Sequence, residues 1–458
     1  MKIDNYIVKK YNRQGPRYTS YPPANLFHNN YDDKKFVQSI VQSNNESPQS
    51  ISIYIHIPFC PQICHFCGCT TETGFSHKFI ERYIAALMKE IDMMTEYIDT
   101  NRKVTQIHWG GGTPNAISYK FIKLITDKIK TCFKIHEDYE MAIECSPAYF
   151  NLKNIDQLKD YGFNRISIGL QEFDEKILKA INRKPSRLAI DDIINKIKST
   201  GFSGTNIDLV YGLPLQTVEG FNAAVKKAIE LDVDRIATFS YAHVPSVIAR
   251  QKVLEKYKFP SAKEKAIMYN DAYEMFKKSG YQAIGMDHFA KPNDDLSVAL
   301  KNKELHRNFQ GYCTLKTTGQ VYGFGASSIS QLYSSYSQNE KNAMKYIKQI
   351  ENNKFATFRG YSLNKKEKII RKIINEVMCN YYVDLSEVAD KFKIKLQEII
   401  ELTSFSKEKF RDFIEDEVLE INNNKVKINT KGRIVIRNIA MRFDPLMNNN
   451  IKSYSKTI

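Results

Sequence analysis

The chain has 458 residues, 42% of them apolar and 12% aromatic, which is enough for one large catalytic domain and a smaller one. It has eight cysteines, no apolar leader after Met1 and no run near the roughly 18 apolar residues of a membrane span. A secreted disulfide scaffold and a membrane protein are thereby disfavoured, and a cytoplasmic enzyme with reduced thiols is expected. The net charge of +16 admits nucleic acid, membrane surfaces and polyanionic small molecules as partners. Its basic residues, such as Lys123, Lys128, Lys130, Lys365, Lys366 and Lys368, sit in separate amphipathic stretches. A solvated basic surface is the better reading, with neither nucleic acid nor membrane as partner.

Residues 1–50 are rich in Tyr, Asn and Pro, show little periodicity and read as an N-terminal arm. From residue 51, short β-branched runs alternate with helical patterns. Strands are predicted at Ile51–Ile57, Val104–Trp109, Glu140–Glu144, Arg165–Gly169, Asn206–Tyr211 and Arg235–Tyr241, with helices such as Phe79–Tyr97 and Val218–Leu231 between them. Repeated strand–helix units imply parallel strands and right-handed crossovers. An α/β fold follows, a partial (β/α) barrel of TIM type over residues 51–363, with Asn293–Tyr322 read as irregular. Residues 364–458 read as a small, mostly helical, winged-helix-like domain. Its helices are predicted at Lys365–Tyr381, Leu385–Phe392, Leu396–Leu402 and Gly432–Phe443, with a hairpin turning at 422–424. That topology does not specify function, and no basic recognition stripe stands out. No heptad seam suggests a coiled coil; a monomer is the expectation, with the oligomeric state left open by the sequence.

Polar residues collect where the strands end: Cys60, Gly110–Thr113, Glu144, Gln171, Asp208 and Tyr241–His243. Barrels of this type gather their chemistry at that rim. Cys60, Cys64, Cys67 and Cys69 lie within ten residues, the first three with Cys-x3-Cys-x2-Cys spacing. Three thiolates can hold three irons of a cubic iron–sulfur cluster and leave the fourth open to a small molecule. Structural zinc commonly uses two separated Cys-x2-Cys pairs, and the chain has no second pair.

Gly110-Gly-Gly-Thr-Pro114 lets backbone approach a ligand closely and lacks the Lys-Ser/Thr ending of a phosphate loop; a plain turn is the alternative. Glu144 can accept hydrogen bonds from a polar ligand. Gln171, Arg183 and Asp208 offer further polar contacts, with a surface ion pair as the alternative for Arg183. Tyr54 and Phe66 are each either ligand contacts or packing residues.

The cysteine run resembles the signature of the radical S-adenosylmethionine (SAM) superfamily. Nearly the whole chain resembles the oxygen-independent coproporphyrinogen III dehydrogenase, or oxidase, family. The resemblance is carried by Lys10-Tyr-Asn-Arg-Gln-Gly-Pro-Arg-Tyr-Thr-Ser-Tyr-Pro22, Tyr54-Ile-His-Ile-Pro-Phe-Cys60, His108-Trp-Gly-Gly-Gly-Thr-Pro114, Gly162-Phe-Asn-Arg-Ile-Ser-Ile-Gly169 and Asn206-Ile-Asp-Leu-Val-Tyr-Gly-Leu-Pro214. It continues in Gly285-Met-Asp-His-Phe-Ala290, His306-Arg-Asn-Phe-Gln-Gly-Tyr312 and Arg437-Asn-Ile-Ala-Met-Arg-Phe-Asp444. Radical-SAM-like haem chaperones, the alternative reading, typically lack both the arm and the cysteine at the place of Cys69. Ala440 and Arg442 stand where relatives often carry cysteines.

The resemblance implies a [4Fe–4S] cluster on Cys60, Cys64 and Cys67 and one SAM held by Tyr54, Gly111 and Glu144. It implies a second SAM at Phe66, Gly112, Thr113, Gln171, Arg183, Asp208, Ala242 and Ile329. Cys69 matches a family cysteine that is not a cluster ligand and is carried over as the candidate catalytic residue. The activity implied is oxidative decarboxylation of two propionates of coproporphyrinogen III to vinyl groups through a 5′-deoxyadenosyl radical, with an electron donor and a final acceptor as partners. A tetracarboxylate substrate calls for cationic anchors, for which Arg13, Arg17 and Arg307 are candidates, and the arm is a candidate lid.

Overall fold

The structure is a computed structural model that describes residues 5–448 together with Tyr454 and Thr457. It divides into two compact units. The larger comprises His28–Met268 and Thr317–Ser362; the smaller comprises Met1–Phe27, Tyr269–Lys316 and Leu363–Ile458.

In the larger unit, β1 (Ile51–Ile57), β2 (Lys103–Gly111), β3 (Lys134–Cys145), β4 (Arg165–Gln171), β5 (Gly204–Tyr211) and β6 (Arg235–Ser240) pair in sequence order, all parallel. Alternation in β1 places Ile51, Ile53, Ile55 and Ile57 on one face, each at most 1% exposed. Burying each such side chain contributes about 1.5–3 kcal/mol. The connecting helices start where the sequence supplies a cap. Ser76 Oγ accepts from the Phe79 amide at 3.2 Å ahead of His77–Thr95, and Thr217 Oγ1 accepts from the Gly220 amide at 3.0 Å ahead of Val218–Glu230. The first of these helices buries Tyr83, Leu87, Ile91 and Met94 at helical spacing.

On the far side of β1 the strand Gln320–Phe324 adds in parallel, followed by the antiparallel strands Ile329–Gln331, Ser335–Asn339 and Thr357–Ser362. The linear order is that of a partial barrel. The reading of Asn293–Tyr322 as irregular is corrected: it holds the helix Asp295–Lys301, the antiparallel pair Leu305–Asn308 and Gly311–Thr314, and the start of Gln320–Phe324. Every residue of Gln320–Phe324 is buried, so no alternation marks it as a strand.

The smaller unit carries the three-stranded antiparallel sheet of Tyr382–Asp384, Lys425–Ile428 and Leu419–Asn422, with helices Lys365–Asn380, Leu385–Phe392 and Leu396–Thr403. An Asn364–Glu367 capping box starts the first helix. The helix expected over Gly432–Phe443 begins as a tighter turn, Lys431–Val435, and becomes α-helical at Ile436–Met441.

The units group the chain differently from the three segments expected. The first 27 residues fall in the smaller unit with the C-terminal segment, and residues 28–50 fall in the larger. Tyr11 stacks on Phe413 at 4.9 Å between ring centroids, and the Tyr18 hydroxyl donates to Asp444 at 2.9 Å. An arm without periodicity gives no sign in sequence that its tyrosines are core anchors. No described helix is long and apolar enough to cross a membrane.

Candidate active site

The chain leaves β1 at Ile57 and enters the cysteine loop through Pro58 and Phe59. Two short backbone bonds close the base of that loop, from the Cys60 amide to Glu72 O at 2.9 Å and from the Glu72 amide to Pro58 O at 2.8 Å. The turn after β2 lies against it. The Gly112 amide donates to Ile57 O at 2.7 Å and the Thr113 amide to Phe59 O at 2.9 Å. These glycines are needed for close approach by the protein's own groups. A Cβ on Gly110 would lie 2.8 Å from Glu144 Oε1, and one on Gly112 would lie 2.7 Å from Phe59 O. Gly111 has φ +112°, and a Cβ there would meet the His56 ring at 2.8 Å. The amides of Gly112 and Thr113 thus serve the strand end.

Each of Cys60, Cys64 and Cys67 has a distinct neighbour. Cys60 Sγ is 3.2 Å from Thr113 Oγ1, Arg183 Nη1 donates to Cys64 Sγ at 3.5 Å, and the Cys69 amide donates to Cys67 Sγ at 3.4 Å. Burial, with thiolate at Cys67 and Cys64 adding, pushes the Cys60 thiol up to about 11, so the three sulfurs lie within electrostatic reach. Cys67 is shifted the other way because the Cys69 thiol donates to it, and Cys69 is pushed up in return. Soft thiols grouped at one loop, with guanidinium donors beside them, suit an iron–sulfur cluster, and metal binding would draw off the remaining protons.

Tyr54, His108 and Glu144 form one polar row across β1, β2 and β3. Tyr54 pairs with His108 in register and its ring stacks on the imidazole at 6.0 Å and 22°. His108 Nε2 is 2.9 Å from Glu144 Oε1, and Tyr54 OH is 3.1 Å from His56 Nδ1. Burial holds the His56 imidazole down at about 4, so it stays neutral at pH 7. Gln171, with φ +72°, and Arg183 meet over Gly169: a Cβ there would lie 2.6 Å from Gln171 Nε2, and Arg183 donates to Gly169 O. Asp208 pairs with Gly169 in register and accepts from Asn206 Nδ2 at 2.9 Å. Ile329 lies beside Gly323, which pairs with Tyr54. Phe66 packs on the apolar group of Ile177, Ile181, Leu213 and Tyr241.

Among the anchor candidates, Arg13 is exposed with its guanidinium over the Tyr11 ring, while Arg307 is buried and donates to Arg17 O at 2.8 Å. These lie in the smaller unit, apart in sequence from the cysteine loop.

Sequence reasoning missed His56 and His108 as members of the row, and it missed Arg250 and Gln251. Arg250 donates to Cys67 O through Nε at 3.1 Å and Nη2 at 2.5 Å, and to Cys69 O at 3.4 Å. Gln251 Nε2 bridges Phe66 O and Ala242 O, each at 3.2 Å, tying the cysteine loop to the segment after β6. The two residues sit in the short helical turn Ala249–Lys256, where no motif marks them. For the histidines a signal existed, since His56 and His108 occupy polar-face positions in otherwise apolar strands.

Residues 54–228 match the family model described as the Radical SAM superfamily. The chain is 36% identical over 441 residues to the oxygen-independent coproporphyrinogen III oxidase of Salmonella typhimurium, covering 96% of this chain and 95% of that protein. It is 36% identical over 461 residues to the protein of the same name from Helicobacter pylori, covering 100% and 99%. Among solved structures it is similar to the coproporphyrinogen III oxidase from Escherichia coli, whose description calls it a radical SAM enzyme. The TM-score there is 0.90 at 34% identity, covering 97% of this chain and 100% of that one.

Proposed function

The chain belongs to the oxygen-independent coproporphyrinogen III oxidase family, and on that premise we propose how its own residues serve the reaction. It is a radical SAM oxidoreductase of haem biosynthesis that carries out the oxidative decarboxylation of coproporphyrinogen III to protoporphyrinogen IX, with a [4Fe–4S] cluster and SAM as cofactors. When bound, these cofactors supply the one-electron cleavage and hydrogen-atom abstraction at a propionate β-carbon.

Cys60, Cys64 and Cys67 hold the cluster, and the Arg183 and Arg250 guanidiniums offset the negative charge of the thiolate loop. Tyr54, Gly111 and Glu144 hold the cluster-bound SAM, with the Glu144 carboxylate, oriented by His108, receiving its polar donors. A second SAM lies against Phe66, Gly112, Thr113, Gln171, Arg183, Asp208, Ala242 and Ile329. Meeting of Gln171 and Arg183 over Gly169 supports this reading. Cys69, hydrogen-bonded to Cys67, is placed to hold or give a proton beside the cluster. The chain works as a cytoplasmic monomer without nucleic acid, drawing electrons from a donor and passing them to a final acceptor.

One observation carries the assignment: three thiols gathered after β1 in a chain alike to these oxidases over nearly its full length. The test is anaerobic incubation of the reconstituted protein with coproporphyrinogen III, SAM, reductant and cell extract. Stepwise loss of two carboxyl groups with 5′-deoxyadenosine is expected; no decarboxylation with a spectroscopically intact cluster would sink it. Equilibrium dialysis should count two SAM per chain, and a count of one removes the second site.

A further inference from the structure

Four motifs of the sequence take no part in the cysteine site: the Gly15-Pro-Arg-Tyr18 part of the arm, Gly285–Ala290, His306–Tyr312 and Arg437–Asp444. In the smaller unit they converge. Arg437 Nε donates to Pro16 O at 2.9 Å and its Nη2 donates to Gly15 O, while Arg307 Nη1 donates to Arg17 O at 2.8 Å. Three successive arm carbonyls are therefore gripped by two guanidiniums that are each only 7% exposed. Arg307 also lies over the Tyr312 ring at 5.1 Å. The Tyr312 hydroxyl accepts from the Met286 amide at 3.1 Å, which brings in the fourth motif, Gly285–Ala290.

Three guanidiniums gather at this place. Burial, with the charges of Arg17 and Arg307 adding, brings the Arg437 guanidinium down to about 9. Asp287 is the ionised carboxylate that faces Arg307 and Arg17, and it already bonds His288 Nδ1 at 2.7 Å. Asp444 is pushed up by burial and is engaged by Tyr18 and the Leu446 amide. Arg307 Nε is buried with no hydrogen-bond partner among the described residues. Two buried guanidiniums beside a third, with the Arg307 Nε–H unspent among the described residues, suit an anion, and a planar carboxylate matches the guanidinium fork.

We propose that Arg17, Arg307 and Arg437, gathered on the backbone of residues 15–17, form a carboxylate-binding site that takes a propionate of the tetrapyrrole substrate. This rests on the oxidase reading above for the identity of the ligand. It gives the arm a role: its carbonyls hold the two buried guanidiniums in place, and its own Arg17 side chain adds the third charge.

Arg17→Gln tests it cleanly. Arg17 contributes its main-chain carbonyl to the grip, which glutamine keeps, so one charge is removed while the Arg307 bond to the arm remains available. The readout is fluorescence titration of the full chain with coproporphyrin III, a tetracarboxylate, and with its tetramethyl ester. R17Q should bind the acid at least tenfold more weakly than wild type, and the ester should bind both proteins weakly and alike. R307Q, checked for folding by thermal melting, should weaken the acid further, whereas K427Q, at an exposed lysine of the same unit, should not. Equal binding of the acid by wild type and R17Q overturns the site, as does an ester that binds wild type as tightly as the acid. Wild type that leaves coproporphyrinogen III unchanged while R17Q still weakens the acid keeps the site and removes the oxidase reading. Turnover by wild type with an unchanged KM in R17Q does the reverse.

Discussion

The cysteine loop and the arginine cluster are built in opposite ways. The loop concentrates four cysteines within ten residues, and its geometry follows from the end of one strand, two backbone bonds and a glycine turn. The arginine cluster draws on residues separated by as many as 422 positions, with each charge delivered by a different element. The difference follows from what each region must recognise. A cluster needs a few like sulfurs at short range, which one loop can supply. A carboxylate site needs several guanidiniums at one point, and here segments far apart in sequence deliver them.

The sharpest break in this comparison is Cys64→Ala. It should abolish turnover and the visible absorbance of the cluster while leaving coproporphyrin III affinity unchanged; lost affinity would mean that the two regions are not separable. Arg437→Gln is its mirror. Removing its donors from Gly15 O and Pro16 O should cost about 2–4 kcal/mol in a denaturant titration, with iron content unchanged. A loss of iron in that variant would couple the arm to the cluster.

An acid titration probes the floor beneath the cysteine site. Against the desolvation of burial, the charges of Arg165 and Arg235 hold the Glu140 carboxyl down at about 2. Its ordinary value is 4.5, so its contribution is present above that pH and is lost as pH falls from there toward 2. The amount is on the order of 3 kcal/mol, and Glu140→Gln should flatten that part of the pH–stability curve. Arg250→Met should show the smallest effect, about tenfold faster iron loss to a chelator, since it removes loop support and no ligand. Unchanged iron release would mean that the cysteine loop holds its form unaided and would make the contrast between the two regions complete.

Much of the parallel framework was legible because β1 to β6 carry β-branched runs and the helices between them carry caps and apolar stripes. Bounds predicted for β1 and for Leu385–Phe392 agree with the structure. The strand Gln320–Phe324 was hidden because burial on both faces erases the alternation that reveals a strand. The cysteine run was legible from its spacing, but the supports that the structure gives it were not. Arg250 and Gln251 lie more than 180 positions away and act through backbone carbonyls, which carry no side-chain signature.

By itself the sequence determined the cofactor chemistry, the parallel strand–helix alternation and the polar strand ends, because each depends on spacing over a few residues. The tertiary structure alone decided that the arm divides between two units, that Gly110, Gly111 and Gly112 make room for Glu144, His56 and Phe59, and that Arg307 and Arg437 close on residues 15–17. Hydrogen bonds and charges act through space over a few ångströms, and only folding brings residues hundreds of positions apart within that reach.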